Sequence, residues 1–234
     1  MKPPKEKIFV FDCEWTPLSK TYKDLERGFP LLAEVFSHQV DKWEHQRELE
    51  GLPRFVDIEE WWEEKAHFYP EFCKMICVSY GYFNKGEFVI QSVWGEDEKK
   101  LLTKVQEVFD KVNQSGFYPA GYSIKRFDMP WLAKRMMVNG IAPPSNLSVY
   151  GKKPWEVDVF DVQEGWGQGN MQESYTPLEV SCTAMGIPSP KDDLSGAKVK
   201  EAYWKGEILR IKEYCEKDVN QTKELAVRLL ELLP

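Results

Sequence analysis

At 234 residues, 42% of them hydrophobic and 29% charged, the chain can bury a sizeable core, which excludes a disordered protein and leads us to expect one domain carrying an insertion. A formal charge of −7 speaks against the broad basic footprint of a protein that coats nucleic acid, but not against an enzyme that grips one strand end. No apolar run approaches membrane-spanning length, and MKPPKEKIFVFD passes from a short basic tail into a strand-like segment without a signal-peptide core, so a cytoplasmic location is expected.

Along the chain, residues 7–15 (KIFVFDCEW) are apolar on both alternating faces until the acids begin, the pattern of a central strand covered on both sides. Residues 16–72 break the rhythm: they are acidic and aromatic, with Trp43, Trp61 and Trp62, and Asp57 with Glu60 has the spacing of a helix-capping box. We read them as a helical insertion after the first strand. Residues 73–83 and 86–94 form a predicted hairpin about Asn84-Lys85-Gly86. A helix is expected over Asp97–Asn113, from the spacing of Leu101, Leu102, Val105, Val108, Phe109 and Val112. Then come a short strand at 118–123, a helix over Met129–Val138 and a strand around Val157–Val162. Residues 165–174 (GWGQGNMQES) read as a mobile loop, followed by helices at 177–185, 197–205 and about 207–232. This succession predicts an α/β fold, a mixed sheet with helices packed on its faces.

Cys13, Cys73, Cys77, Cys182 and Cys215 lack zinc-site spacing and are read as reduced core residues. His38, His45 and His67 fall in the insertion and are read as solvated.

Four carboxylates sit where a packed protein has little use for them. Asp12 and Glu14 are two apart on the first strand, on the face of Ile8 and Val10, so they repel one another and call for cations unless the strand ends before them. Asp218 interrupts the apolar stripe Ile208, Ile211, Cys215, Thr222, Leu225 and Leu229, with Tyr214 one turn earlier; a salt bridge at the core edge is the alternative. Asp128 precedes Met129-Pro130 at a helix start, where a capping role competes with a catalytic one.

The ordered set FDCEW, YSIKRFDMPWL and YCEKD resembles the three motifs of the DEDDy branch of the 3′–5′ exonucleases, on a ribonuclease-H-like fold. The stretch from Pro177 to Leu225 is similar, more narrowly, to the proofreading-exonuclease-like proteins related to family B DNA polymerases. The family pattern has an Asn where this chain has Ser123. The resemblance implies removal of nucleotides from the 3′ end of single-stranded nucleic acid, DNA being the expected substrate. It also implies two Mg²⁺ or Mn²⁺ ions held by Asp12, Glu14, Asp128 and Asp218, since hard oxygen ligands select these over zinc. Asp12 would bridge the two ions, Glu14 and Asp218 would complete one site, and Asp128 would act through the outer shell of the other. Tyr214 would orient the attacking water. Trp15, Thr16, Ser123, Phe127, Trp131 and Lys198 are the expected substrate contacts, with Lys125, Lys191 and Lys200 as further phosphate candidates; core packing is the alternative for Trp131, and solvation for the lysines. A DNA polymerase bound in trans is an implied partner. A non-catalytic nucleic-acid-binding module and an exoribonuclease are the competing functions.

Overall fold

The computed structural model describes residues 2–53, 57–168, 175–188 and 194–234. The chain forms two compact units, a smaller one over Trp15–Lys74 and a larger one from residues 1–14 and 75–234.

A five-stranded sheet organises the larger unit: β1 (Ile8–Pro17), β2 (Cys73–Asn84), β3 (Glu87–Trp94), β4 (Tyr118–Gly121) and β5 (Phe160–Asp161), in the order β3-β2-β1-β4-β5. The hairpin is antiparallel and turns where expected, with Asn84 opposite Glu87 and both Lys85 and Gly86 at positive φ, as a two-residue loop requires. β4 runs parallel to β1 and to β5, pairing Ile8 with Tyr118 and Val10 with Ala120.

Alternation along β1 assigns each side chain to a face. Phe9 and Phe11 meet Phe109 edge-on at 5.5 and 5.0 Å, from α4 (Glu98–Ser115), which Asp97 caps by accepting the Lys100 amide. Ile8 and Val10 bury on the other face with Val219, Leu225 and Leu229 of the C-terminal helix (Ile208–Leu232). Farther up that helix, Ile211 and Cys215 pack with Ile76 and Cys77 of β2. One long helix thus covers one face and α4 the other, the doubly covered sheet that the near-continuous apolar strand implied. Between β4 and the C-terminal helix lie α5 (Asp128–Val138), α6 (Val162–Trp166), α7 (Leu178–Ala184) and α8 (Gly196–Trp204). The C-terminal helix is therefore α9, and the helices of the smaller unit are α1–α3.

Two expectations need correction. The strand around Val157–Val162 contracts to Phe160–Asp161, because the Asp161 carboxylate accepts the Gln163 and Glu164 amides and starts α6 at once. The expected loop at 165–174 begins inside that helix, and its residues 169–174 lie outside the described residues.

The smaller unit packs α1 (Tyr22–Gly28), α2 (Pro30–Leu49) and α3 (Ile58–Lys65) around an aromatic core. Phe36 meets Trp62 at 5.0 Å and Phe72 at 5.1 Å, both edge-on, and Trp43 stacks on Trp61 at 5.5 Å. Asp57 caps α3 by accepting the Glu60 amide. Glu59 reaches from α3 to accept the Tyr22 and Lys23 amides, placing a carboxylate on the positive end of α1.

Candidate active site

The carboxyl ends of the parallel strands converge in the larger unit. β4 stops pairing with β1 at Val10, so Asp12 and Glu14 project beyond the β4 edge on the face that α9 covers. β4 turns through Gly121, where an added Cβ would lie 2.7 Å from the Phe11 carbonyl and collide with Ile124. The turn that follows delivers Asp128 back to β1.

Asp128 does not cap its helix. Phe127 occupies the N-cap, Asp128 is the first helical residue, and its Oδ1 accepts the Cys13 amide at 3.0 Å. The capping alternative is thereby corrected: this carboxylate reaches across to β1. From α9, Cys215 places its Sγ 3.3 Å from Asp12 Oδ2 and 3.4 Å from the Asp12 carbonyl oxygen. Tyr214 lies one turn before Asp218 on the same helix and so shares its side of α9. Glu216 anchors this segment of α9, accepting from Ser92 of β3 at 2.7 Å and pairing with Lys212 at 2.9 Å.

Burial and mutual repulsion govern the protonation of this cluster. Burial first, then the charges of Asp128 and Asp218, push the Asp12 carboxyl well above the usual carboxylate range. Glu14 is raised in the same way by burial, then by Asp12 and Asp218. Asp128 rises to about 7 through burial, opposed by hydrogen bonds from its own amide and from Cys13. Burial, then Asp218, Glu14 and Asp12, drive the Tyr214 phenol upward, so it stays protonated at neutral pH. Groups so mutually destabilised are matched by cations. Ligand atoms of Asp12, Glu14 and Cys215 lie within 4.8 Å of one another, the sole such triad of metal-binding side chains among the described residues.

The expected substrate contacts divide. Phe127 is half-buried and Lys198 exposed, whereas Ser123 is buried, as is Trp131 of α5 at 7% exposed. Trp15 and Thr16 belong to the smaller unit, where the Trp15 indole donates to the His67 carbonyl and Thr16 is fully buried. Lys125 pairs with Glu164 at 2.6 Å, Lys200 is half-buried, and Lys191 lies outside the described residues. All five cysteines are buried and form no disulfide. His38 and His45 are exposed and His67 is half-buried against Phe68.

Three neighbours of the site escaped sequence reasoning. Cys215 precedes Asp218 by three residues and so shares its helix face, a signal hidden inside the apolar stripe. Tyr175 is half exposed, its ring 6.2 Å from and perpendicular to Phe127; burial, then the charges of Asp128, Asp12 and Asp218, raise its phenol. Asp161 ends β5 and carries no distinct signal in the sequence: Phe-Asp pairs stand at 11–12, 109–110, 127–128 and 160–161, and Asp110 is an exposed residue of α4.

Among solved structures, the fold is similar to the family B DNA polymerase from the hyperthermophilic archaeon Pyrobaculum calidifontis, with a TM-score of 0.56 at 17% identity. The match covers 97% of this chain and 25% of that one, so the chain spans about a quarter of the polymerase's length. It places the sheet and its helices in the ribonuclease-H-like α/β class. No curated protein matches. A family model described as a predicted 3′–5′ exonuclease related to the exonuclease domain of PolB matches residues 66–232, most of the chain, and the protein belongs to that family. No described helix is long and apolar enough to cross a membrane.

Proposed function

We propose that the protein is a metal-dependent 3′–5′ exonuclease hydrolysing phosphodiester bonds at the 3′ end of single-stranded DNA. One observation carries the reading: Asp12 and Glu14 of β1 lie together with Cys215 of α9, Asp128 of α5 bonds the Cys13 amide between them, and desolvation and mutual repulsion with Asp218 disfavour ionisation of this part-buried cluster. The donor set is rich in hard oxygen, which fits Mg²⁺ or Mn²⁺. Held by Asp12, Glu14, Asp128 and Asp218, two such ions would activate water and neutralise charge on the transferring phosphoryl and leaving oxygens.

The chain's own groups do the rest. Burial and the neighbouring carboxylates keep the Tyr214 phenol protonated, so its hydroxyl would orient water without acting as a base. Phe127 and Tyr175 offer rings beside Asp128 on which a terminal base stacks without sequence preference. The single domain with an inserted unit, and a polymerase acting in trans, belong to the same reading.

The test is a 5′-labelled single-stranded DNA incubated with pure protein and Mn²⁺, with chelator, and with Asp12→Ala. Progressive shortening from the 3′ end that requires both the ion and Asp12 is expected. Cleavage that persists in chelator, or intact substrate with either Mg²⁺ or Mn²⁺, would sink the reading. A matched RNA strand decides which sugar the site accepts.

A further inference from the structure

Asp161 is one of only three charged side chains that are buried among the described residues, 5% exposed at the end of β5, yet nothing in its surroundings calls for a cation. Its acceptor sites are filled by main-chain donors. Oδ1 takes the amides of Ser123 at 3.1 Å, Gln163 at 3.1 Å and Glu164 at 3.3 Å, and Oδ2 takes the Lys125 amide at 3.0 Å. Two of these donors start α6. The other two belong to the turn between β4 and α5, which α6 does not need.

That turn is held under constraint. Ser123 adopts φ 61°, a left-handed conformation that few residues other than glycine occupy without enforcement by their surroundings. Its carbonyl accepts the Arg126 and Phe127 amides, both at 3.1 Å, and the Ile124 carbonyl accepts the Met129 amide at 3.0 Å. Asp128 lies inside this closed loop of bonds, and its carboxylate meets the Cys13 amide on β1. A turn pinned at both Ser123 and Lys125 leaves Asp128 one direction to face.

We propose that Asp161 is a positioning residue for the active site: by gripping the main chain of the Ser123–Phe127 turn it fixes Asp128 against β1 in the geometry that completes the metal site. This rests on the exonuclease reading of that site. Asp161 touches neither substrate nor ion and acts through Asp128. An amide in its place keeps one oxygen acceptor but turns an N–H₂ toward a main-chain N–H, which loosens the turn and leaves the side-chain volume unchanged.

Calorimetric titration of Mn²⁺ into wild type and Asp161→Asn tests the role without recourse to turnover. Residues that orient metal ligands from outside the coordination sphere cost about ten- to a hundredfold in metal affinity when altered, and a loss of that size is expected. Raising Mn²⁺ should restore cleavage, with KM for the oligonucleotide within about twofold of wild type, a split that general destabilisation does not produce. Ser123→Gly relieves the left-handed strain, so in the Asp161→Asn background it should recover part of the lost affinity. If Asp161→Asn does not fold alone, the double variant is compared with Ser123→Gly in the same titration. Folded Asp161→Asn with wild-type Mn²⁺ affinity overturns the positioning role while the exonuclease reading stands. Failure of the wild type to take up Mn²⁺ overturns both.

Discussion

The two units of this chain spend burial differently. In the smaller, the buried side chains are apolar, Cys73 included, and the only polar ones buried among the described residues are Thr16 and Ser19. In the larger, Asp128, Arg135 and Asp161 are buried, and Asp12 and Glu14 are half-buried beside them. Surface charge runs the other way: residues 15–74 carry thirteen acids against eight lysines and arginines, so the smaller unit accounts for most of the net −7. Solvated acids on a helical surface cost little, whereas acids taken out of water destabilise the fold unless something binds them. Net charge therefore says little about the substrate, and the position of a few carboxylates says much.

The contrast can be broken at its extremes. Asp12→Ala should abolish hydrolysis while leaving the melting temperature in chelator unchanged or higher, because it removes a repelling charge and no favourable contact with a cation. Unfolding of this variant at assay temperature would mark Asp12 as structural. Trp62→Ala in the smaller unit should do the reverse to stability: it empties a fully buried site packed by Phe36 and Phe72 and costs about 3–5 kcal/mol, read from urea unfolding followed by the signal of that unit. A loss below about 1 kcal/mol would show that this aromatic core repacks.

How much of this was legible depended on whether a residue's role is local. Helices α4, α5 and α9 and the hairpin followed from periodicity and turn chemistry, because an amphipathic stripe and an Asn-Lys-Gly turn declare themselves within a few residues. Asp12, Glu14 and Asp218 stood out as charges on apolar faces. Asp128 was ambiguous because an acid before Met-Pro at a helix start satisfies local rules equally well as a cap; only the amide of Cys13, 115 residues away, decides otherwise. Asp161 ends a two-residue strand that periodicity cannot resolve, and its grip on Ser123 and Lys125 is wholly tertiary. The buried pairing of Glu98 with Arg135, at 2.6 Å and shared with the Met75 amide, was invisible for the same reason.

Tyr214→Phe sharpens the comparison within the site itself. It deletes one hydroxyl and leaves the ring in place on α9, so any effect on folding is small. If that hydroxyl orients water, kcat should fall about a hundredfold, equivalent to about 2.7 kcal/mol of barrier, with KM nearly constant. Rapid-quench turnover at saturating DNA measures it, and a variant that cleaves at the wild-type rate removes the tyrosine from the mechanism.

The smallest effect tests the electrostatic premise without any substrate. Asp12, Glu14 and Asp128 are all raised in the folded chain, Asp128 to about 7, while in the unfolded chain they return to ordinary carboxyl values near pH 4. Between those limits the native state holds more protons than the unfolded state, so the linkage slope is negative and stability declines as pH rises. In chelator, the melting temperature should therefore fall by about a few °C between pH 5 and pH 7. Below the unfolded pKa the contribution is fully present, and above the folded one it is gone. Asp12→Ala should flatten the slope by removing one buried acid and relieving its neighbours. Saturating Mn²⁺ should reverse it, because the ion binds the ionised native form and adds stability by mass action as the protons leave. A pH-independent melting temperature in chelator, or a slope that Mn²⁺ leaves untouched, would show that these carboxylates are solvated after all and that the contrast between the two units lies in their surfaces alone.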